Sequence, residues 1–225
     1  MKINWENINI ENLAAIICEF LEKNNIKTTL VGGACVSIYT KNKYLSSDLD
    51  FVTESSIREL IPIFNQIGFK RKSGRHFENP RCNFFIEFPA PPLSIGNEPV
   101  TKFNFIKTKY GTIRLLTPTD CVKDRLAAYF FWNDPQSLEQ AILVTKNNEI
   151  DLINIKKWAL KENKIDKFNV FLGKVKKSRN FVIPKKYIDY IEGKELKEKD
   201  KKMIDMAVKK TVQEYGEVLK LLGRE

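Results

Sequence analysis

The chain has 225 residues, of which 43% are hydrophobic and 29% charged, and its formal net charge is +10. This composition predicts a soluble globular protein with one sizeable core and excludes the disordered and collagen-like classes. No apolar run approaches the roughly 20 residues needed to cross a bilayer, so no membrane association is predicted. The first residues lack the basic and then apolar pattern of a signal peptide, and we expect a cytoplasmic protein.

The cysteines and the histidine limit the kinds of metal site. Cys18, Cys35, Cys82 and Cys121 are spaced neither as a zinc site nor as a secreted disulfide framework, so reduced, mostly buried thiols are expected. His76 is the single histidine, which excludes His-rich metal centres. Any metal must therefore be held by carboxylates.

Positive charge is concentrated near the end of the chain. Residues 1–154 contain 18 Lys plus Arg and 17 Asp plus Glu, whereas residues 155–225 contain 20 and 11. Clustered lysines bind polyanions because neutralised phosphates release their counterions. The alternative is a solvated, lysine-rich helical surface, and the sequence leaves both interpretations open.

The hydrophobic pattern changes from helical to strand-like and back along the chain. Helical spacing predicts a first helix over residues 11–24, and a strand (28–31), a helix (34–40), a strand (48–52) and a helix after Ser55 or Ser56 follow. Strand-like runs occupy residues 69–72, 83–88, 103–107 and 112–116, and the proline-rich segment 89–99 is predicted to be a loop. Helices are predicted to begin at Thr117-Pro118 and Asp134-Pro135 and to dominate the rest.

This order of elements predicts an α/β (α+β) fold with a mixed sheet flanked by helices. We expect two domains, an α/β domain over residues 1–116 and a helical, basic domain over residues 117–225. No internal repeat is visible.

Two carboxylates on one predicted strand indicate a metal site. Alternate strand residues point to the same face, so Asp48 and Asp50 in Asp48-Leu49-Asp50-Phe51 lie on one side, about 6–7 Å apart along the strand. Such neighbours repel each other unless a cation lies between them. Mg²⁺ suits the pair, because it typically binds one or two carboxylates together with water and substrate phosphates. The alternative is a polar strand face or a turn.

A glycine pair upstream supplies a phosphate-binding element. Gly32 and Gly33 separate a strand from a helix, which lets backbone amides and the helix N-terminus approach phosphate oxygens. A triphosphate could therefore be held between the glycines and the carboxylates. The order and spacing of the two motifs carry the signal, because each motif alone is common.

Glu87 is the candidate for a third carboxylate. It lies in the apolar segment 83–88, on the face opposite Ile86 and Phe88. A third acid is needed to arrange two metal ions or to act as a base for the attacking hydroxyl. The alternative is an edge-strand glutamate that faces water.

With these motifs the chain resembles the nucleotidyltransferase superfamily that includes DNA polymerase β, and within it the small stand-alone AbiEii-like, toxin-type branch. The resemblance covers residues 28–145. It implies a minimal nucleotidyltransferase fold, Mg²⁺ (two ions) bound by Asp48, Asp50 and Glu87, and an NTP substrate held by Gly32 and Gly33. The third acid is Glu rather than the commoner Asp, and Gly33 stands where many members have Ser.

The resemblance also implies contacts between the nucleotide and side chains outside the glycine pair. Lys123 and Arg125 match the cations that follow the sheet in that branch and contact phosphates, and Ser47 is expected to contribute beside the first carboxylate. For the two cations the alternative is a charge network within the helix, with Asp120 and Asp124. A toxin role and a cognate antitoxin are further expectations of this branch.

The leading hypothesis is a Mg²⁺-dependent nucleotidyltransferase that moves NMP from an NTP to an acceptor hydroxyl. The basic end of the chain favours RNA as the acceptor, including a tRNA 3′ end. The segment 70–76, which contains His76, is interpreted as a solvated turn between strands, and contact with the nucleotide or acceptor is the alternative. The rival function is a catalytically inactive module of the same fold that binds nucleic acid or a partner protein.

Overall fold

A computed structural model of the protein describes residues 3–177. The strands of this part of the chain are β1 (Thr29–Val31), β2 (Asp48–Val52), β3 (Lys70–Ser73), β4 (His76–Glu78), β5 (Phe85–Glu87), β6 (Ser94–Ile95), β7 (Glu98–Pro99), β8 (Phe103–Thr108) and β9 (Gly111–Leu116). Its helices are α1 (Ile10–Lys23), α2 (Gly32–Tyr39), α3 (Ile57–Gln66), α4 (Pro118–Trp132), α5 (Pro135–Asn147), α6 (Leu152–Lys161) and α7 (Ile165–Lys176).

A mixed seven-stranded sheet with helices packed around it confirms the predicted fold class. The strand order is β3-β4-β5-β2-β1-β9-β8, with β6 and β7 forming a separate hairpin. The pairs β2·β5 and β1·β9 are parallel, and the remaining pairs are antiparallel. Strand β2 therefore lies at the centre of the sheet, and β3 and β8 form its two edges.

The predicted helix starts are confirmed by their caps. Ser56 accepts from the backbone N–H of Glu59, whose carboxylate accepts in return from the Ser56 N–H, so a capping box starts α3. Thr117 caps α4, and Asp134 caps α5 with two backbone donors. In each case a side-chain oxygen satisfies N–H groups that the first helical turn leaves unpaired.

Aromatic residues fill the core on one face of the sheet. The Phe64 ring on α3 is fully buried, with its centroid 4.9 Å from that of Phe77 and 5.4 Å from that of Phe88. Phe51 on β2 extends the cluster, with its centroid 6.1 Å from that of Phe88. This packing fixes which face of β2, β4 and β5 is turned away from the core.

Two local predictions need correction. His76 does not lie in a turn, because it begins β4, and only the residues before it form the turn from β3. The proline-rich segment contains the β6–β7 hairpin, where Pro99 is tolerated because it lies on an edge strand, which can lack a backbone N–H donor. Helix α3 continues through Pro62 to Gln66.

The described residues all lie in one compact unit. The domain boundary between residues 116 and 117 stays a prediction, and most of the predicted basic end, residues 178–225, lies outside the described residues. None of the helices within residues 3–177 has the length and apolar composition needed to span a membrane.

We expect Phe64→Ala to lower the free energy of unfolding by roughly 3–5 kcal/mol, because the cavity it leaves lies among rings that cannot collapse into it. Urea denaturation followed by circular dichroism measures this change. The control is Phe105→Ala on β8, since that side chain is 60% exposed and its loss should cost no more than about 0.5 kcal/mol. Equal losses for the two variants would contradict the packing described here.

Candidate active site

Three acids lie on the face of the sheet that points away from the aromatic core. Asp48 and Asp50 alternate along β2 with Leu49, which is fully buried. Glu87 on β5 is in register with Asp50, and residues in register on neighbouring strands point to the same side. The structure therefore brings the three predicted catalytic acids to one face at the centre of the sheet.

The backbone of Gly32 touches the carboxylate of Asp50. Gly32 has φ +68°, and a Cβ at this position would lie 2.2 Å from Asp50 Oδ2. No other residue fits, because a side chain would both occupy the place of the carboxylate and strain the backbone. The first predicted motif is thus in direct contact with the second.

Helix α2 begins at this contact with free amides. Among the residues that the structure describes, no side chain caps the N-terminus of α2. The first N–H groups of a helix lack intrahelical partners, and the helix dipole favours negative charge at that end. Gly33 adds a close approach, because a Cβ there would lie 2.6 Å from Ser46 Oγ. The arrangement suits phosphate oxygens, as the glycine pair predicts.

The environment of Asp50 disfavours its ionised form. Burial, followed by the charge of Asp48, raises the pKa of Asp50 from 3.8 to about 7, and Asp124 and Glu87 act in the same direction. Arg125 opposes them and lowers the pKa of Asp50. A positive ion at this place would stabilise the carboxylate, which is the physical requirement for a metal ligand.

Arg125 is the predicted nucleotide-binding cation that the structure places near the acids. Burial alone would lower the pKa of Arg125, but the ion pair with Asp124 outweighs it and the pKa is raised. The guanidinium donates from Nε and from one terminal nitrogen to Asp124 Oδ2, at 2.9 and 2.5 Å. It stays charged and is oriented by Asp124 beside Asp50.

Lys123 and Ser47 are the remaining predicted nucleotide contacts, and both stay predictions. The Nζ of Lys123 lies 2.7 Å from Glu98 Oε1 on β7 and 3.7 Å from Asp120 Oδ1, and the side chain is nearly buried. The pair with Asp120 is the helical charge network that the sequence left as the alternative. Ser47 is exposed.

Ser46 is a site residue that the sequence did not indicate. Its hydroxyl donates to Asp48 Oδ1 at 2.7 Å, and its backbone N–H donates to Ser37 Oγ on α2 at 3.0 Å. Ser46 is buried, so it fixes the orientation of Asp48 and ties β2 to α2. The available signal was its position two residues before the first carboxylate.

His76 is the second residue that the sequence did not place. On β4 it is in register with Glu87, and its Nδ1 lies 3.0 Å from Glu87 Oε1. Its Nε2 lies 2.9 Å from Glu78 Oε1. The hydrogen bond to Glu87, followed by that to Glu78, raises the pKa of His76. His76 thus orients the Glu87 carboxylate.

The donor set suits a hard divalent cation only in part. Within residues 3–177, no group of three His, Cys, Asp or Glu side chains is arranged to hold a metal ion. Two of the acids are already engaged by hydrogen bonds, because Ser46 donates to Asp48 and His76 contacts Glu87. Asp48 and Asp50 nevertheless offer carboxylate oxygens on one face of β2, and this chemistry fits Mg²⁺.

Comparison of the sequence with models of protein families gives no match, and comparison with curated proteins gives none. Several solved structures are similar. An antigenic nucleotidyltransferase-like protein from Paracoccidioides brasiliensis shares 11% identity over 60% of this chain and 74% of its own, with a TM-score of 0.47. The lincomycin-bound lincosamide antibiotic adenylyltransferase LnuA shares 13% identity over 63% of this chain and 99% of its own, with a TM-score of 0.47.

A further similar structure is ANT(2'')-Ia in complex with adenylyl-2''-tobramycin. It shares 11% identity over 73% of this chain and 97% of its own, with a TM-score of 0.42. These identities and scores are too low to assign a role to any residue. The proposals below therefore depend on the geometry of this chain.

Gly32→Ala tests the contact with Asp50, and Gly74→Ala is its matched control. Both glycines have positive φ, but a Cβ at Gly74 would meet nothing within 4 Å. We expect Gly74→Ala to cost about 1–2 kcal/mol of backbone strain. Gly32→Ala should cost roughly 1–3 kcal/mol more, because the Asp50 carboxylate must move. Urea denaturation measures both, and equal losses would show that the contact is not tight.

Asp50→Asn should stabilise the metal-free protein most at high pH. The unfolded carboxyl ionises near its ordinary pKa of 3.8 and the folded one at about 7, so the stability of the wild type falls as pH rises between these values. The substitution removes this penalty. In chelator, its gain in the free energy of unfolding should be larger near pH 8 than near pH 5 by roughly 2–3 kcal/mol.

The control for this pH dependence is Glu54→Gln, which changes an exposed acid in the loop after β2. Its effect should be small and similar near pH 5 and near pH 8. A gain from Asp50→Asn that does not depend on pH would mean that the Asp50 carboxylate is not destabilised in the folded protein.

Proposed function

We propose that the protein is a nucleotidyltransferase that moves an NMP group from an NTP to an acceptor hydroxyl. The observation that carries this proposal is the close approach of Gly32 to Asp50, where the uncapped start of α2 meets a half-buried pair of carboxylates. The helix N-terminus favours phosphate, and the carboxylates favour a divalent cation. A metal-bound NTP is a ligand that satisfies both requirements at once.

The reaction joins the acceptor oxygen to the α-phosphorus and breaks the bond to the bridging oxygen, so that pyrophosphate leaves. Asp48 and Asp50, with Glu87 as the third carboxylate, are the proposed ligands of two Mg²⁺ ions. When bound, Mg²⁺ would neutralise phosphate charge and polarise the α-phosphoryl group. The chain itself holds the triphosphate at the amides of Gly32 and Gly33.

Other residues orient the reacting groups. Glu87 takes the proton of the acceptor hydroxyl, and His76 holds the Glu87 carboxylate in position through its Nδ1–H. Arg125 supplies fixed positive charge near Asp50, where negative charge develops on the phosphates. Lys123 would contact a nucleotide phosphate only if its ammonium group first left the Glu98 carboxylate.

RNA is the proposed acceptor class, on the basis of the positive charge of the chain. The net charge of +10 favours a polyanionic substrate over a cationic small molecule. The toxin-type role and its cognate antitoxin stay predictions of the sequence resemblance.

A catalytically inactive binding module is the second candidate, and a specific observation favours it. Glu98 engages Lys123 and His76 engages Glu87, so one predicted nucleotide contact and one predicted catalytic acid already have partners. Nucleotide binding discriminates the two functions. An enzyme should gain thermal stability from millimolar NTP with Mg²⁺, by about 2.7 kcal/mol when the ligand is at 100 times its Kd, whereas a module that ignores nucleotides gains none.

We expect wild-type protein incubated with an α-labelled NTP, Mg²⁺ and total RNA to transfer label to RNA. The variant Asp48→Ala, Asp50→Ala should lose this activity by on the order of 10³-fold or more, because it removes the groups that hold charge at the α-phosphate. Each of the four NTPs is tested separately, and labelled RNA is resolved by gel electrophoresis.

The control is Glu54→Ala, which removes an exposed acid just beyond β2 and should leave transfer unchanged. Label on protein or on a small molecule instead of RNA would keep the transferase and replace the acceptor. Equal transfer by wild type and the double variant, or no transfer together with no stabilisation by NTP, would overturn the proposal.

A further inference from the structure

A pocket lies at the β3 edge of the sheet. It has a volume of about 520 Å³, and we call it the β3 pocket. Its lining includes Lys70, Arg71 and Lys72 of β3 on one side, and Phe84 and Phe85 on another. This volume is within the range of pockets that hold a small ligand or a single nucleotide.

Phe85, in the lining of the β3 pocket, is on the same face of the sheet as the acids. Phe85 on β5 is in register with Asp48 on β2, so the two side chains point to the same side. The Phe85 ring stacks on His76, with centroids 4.6 Å apart and planes inclined by 22°. His76 in turn contacts Glu87, so His76 links the Phe85 ring to the proposed base.

The cations of the β3 pocket face solvent on an edge strand. All four residues of β3 are exposed. Lys70 is in register with Glu78, and the Nζ of Lys72 lies 3.5 Å from Glu78 Oε2, so one acid balances only part of this charge. Arg71 donates from Nε to the Gly74 carbonyl, which leaves its other nitrogens for a ligand. A polycationic acceptor would be repelled here.

We propose, resting on the nucleotidyltransferase function above, that the β3 pocket binds the acceptor, a single-stranded polynucleotide. Its phosphates contact Lys70, Arg71 and Lys72, and one base stacks against Phe84 and Phe85. Cations beside exposed aromatic rings are the usual means by which proteins hold single strands. An acidic peptide would use the cations but not the rings, and a duplex keeps its bases stacked and out of reach.

Binding of a fluorescein-labelled 12-nucleotide single-stranded RNA to the full-length protein tests this proposal by fluorescence anisotropy. The buffer contains chelator and no NTP, so catalysis cannot contribute. The triple variant Lys70→Ala, Arg71→Ala, Lys72→Ala should weaken binding about tenfold or more and should reduce the slope of log K against log salt by about 2. Phe85→Leu should weaken binding by about tenfold with the salt slope unchanged, because it removes stacking but no charge.

The matched control removes three exposed lysines at the opposite edge of the sheet. The triple variant Lys102→Ala, Lys107→Ala, Lys109→Ala on and around β8 changes net charge by the same amount and should bind like wild type. Equal weakening by both triple variants would show diffuse attraction to a basic protein and would overturn the β3 site. Binding that survives the β3 variant would overturn it too. Melting curves of every variant verify that it is folded.

Other ligands separate the polynucleotide from its alternatives. Single-stranded DNA of the same sequence shows whether the protein recognises the 2′-hydroxyl. Equal binding of DNA and weaker binding of DNA are both compatible with a polynucleotide site. Polyaspartate of equal charge that binds as tightly, with no effect of Phe85→Leu, would overturn the polynucleotide in favour of an acidic protein.

The outcome is independent of the proposed reaction. RNA binding at β3 without any label transfer would leave the site and reject the transferase. Label transfer to a small acceptor by a protein that does not bind RNA would keep the transferase and reject the β3 site.

Discussion

The carboxylate of Asp50 occupies the space where any residue other than glycine at position 32 would place its Cβ. This constraint sets the geometry around it. Helix α2 begins directly at the end of β1 with Gly32 at a positive φ, and Gly33 leaves room for the Ser46 hydroxyl beside it. The first amides of α2 and the oxygens of Asp50 are thereby brought together.

The same contact has an electrostatic cost. Asp50 is buried beside Asp48, with Glu87 on the next strand, and Arg125 compensates it while already paired with Asp124. A fold selected for stability alone would replace such acids by apolar residues, since uncompensated buried charge is costly. Their presence is expected where a bound cation supplies the missing positive charge, and sites of this kind commonly lower stability for the sake of function.

Local sequence patterns were sufficient for part of this site and insufficient for the rest. The alternation of Asp48 and Asp50 with buried Leu49 assigns faces within one strand, and caps such as Thr117 mark helix starts, because both depend on neighbours within a few residues. His76 is different, since its role follows from register with Glu87 across two short strands. Register depends on tertiary packing, and the alternation within a three-residue strand such as β4 is too short to predict the strand from sequence. Lys123 likewise pairs with Glu98, which lies in the β6–β7 hairpin. The prolines of that segment predicted a loop instead.

The strand order gives the proposed reaction a direction. Strands lie about 4.8 Å apart, so β3 is roughly 14 Å from β2, and β5 with Phe85 lies between them. The uncapped amides of α2 are on the other side of β2, next to β1. Two positive regions therefore flank the central group of acids. The N-terminus of α2 suits a triphosphate, and the cations of β3 suit a chain of phosphates. In the proposed arrangement the terminal nucleotide of the acceptor would lie near Phe85 with its hydroxyl toward Glu87, and the rest of the strand would leave over β3.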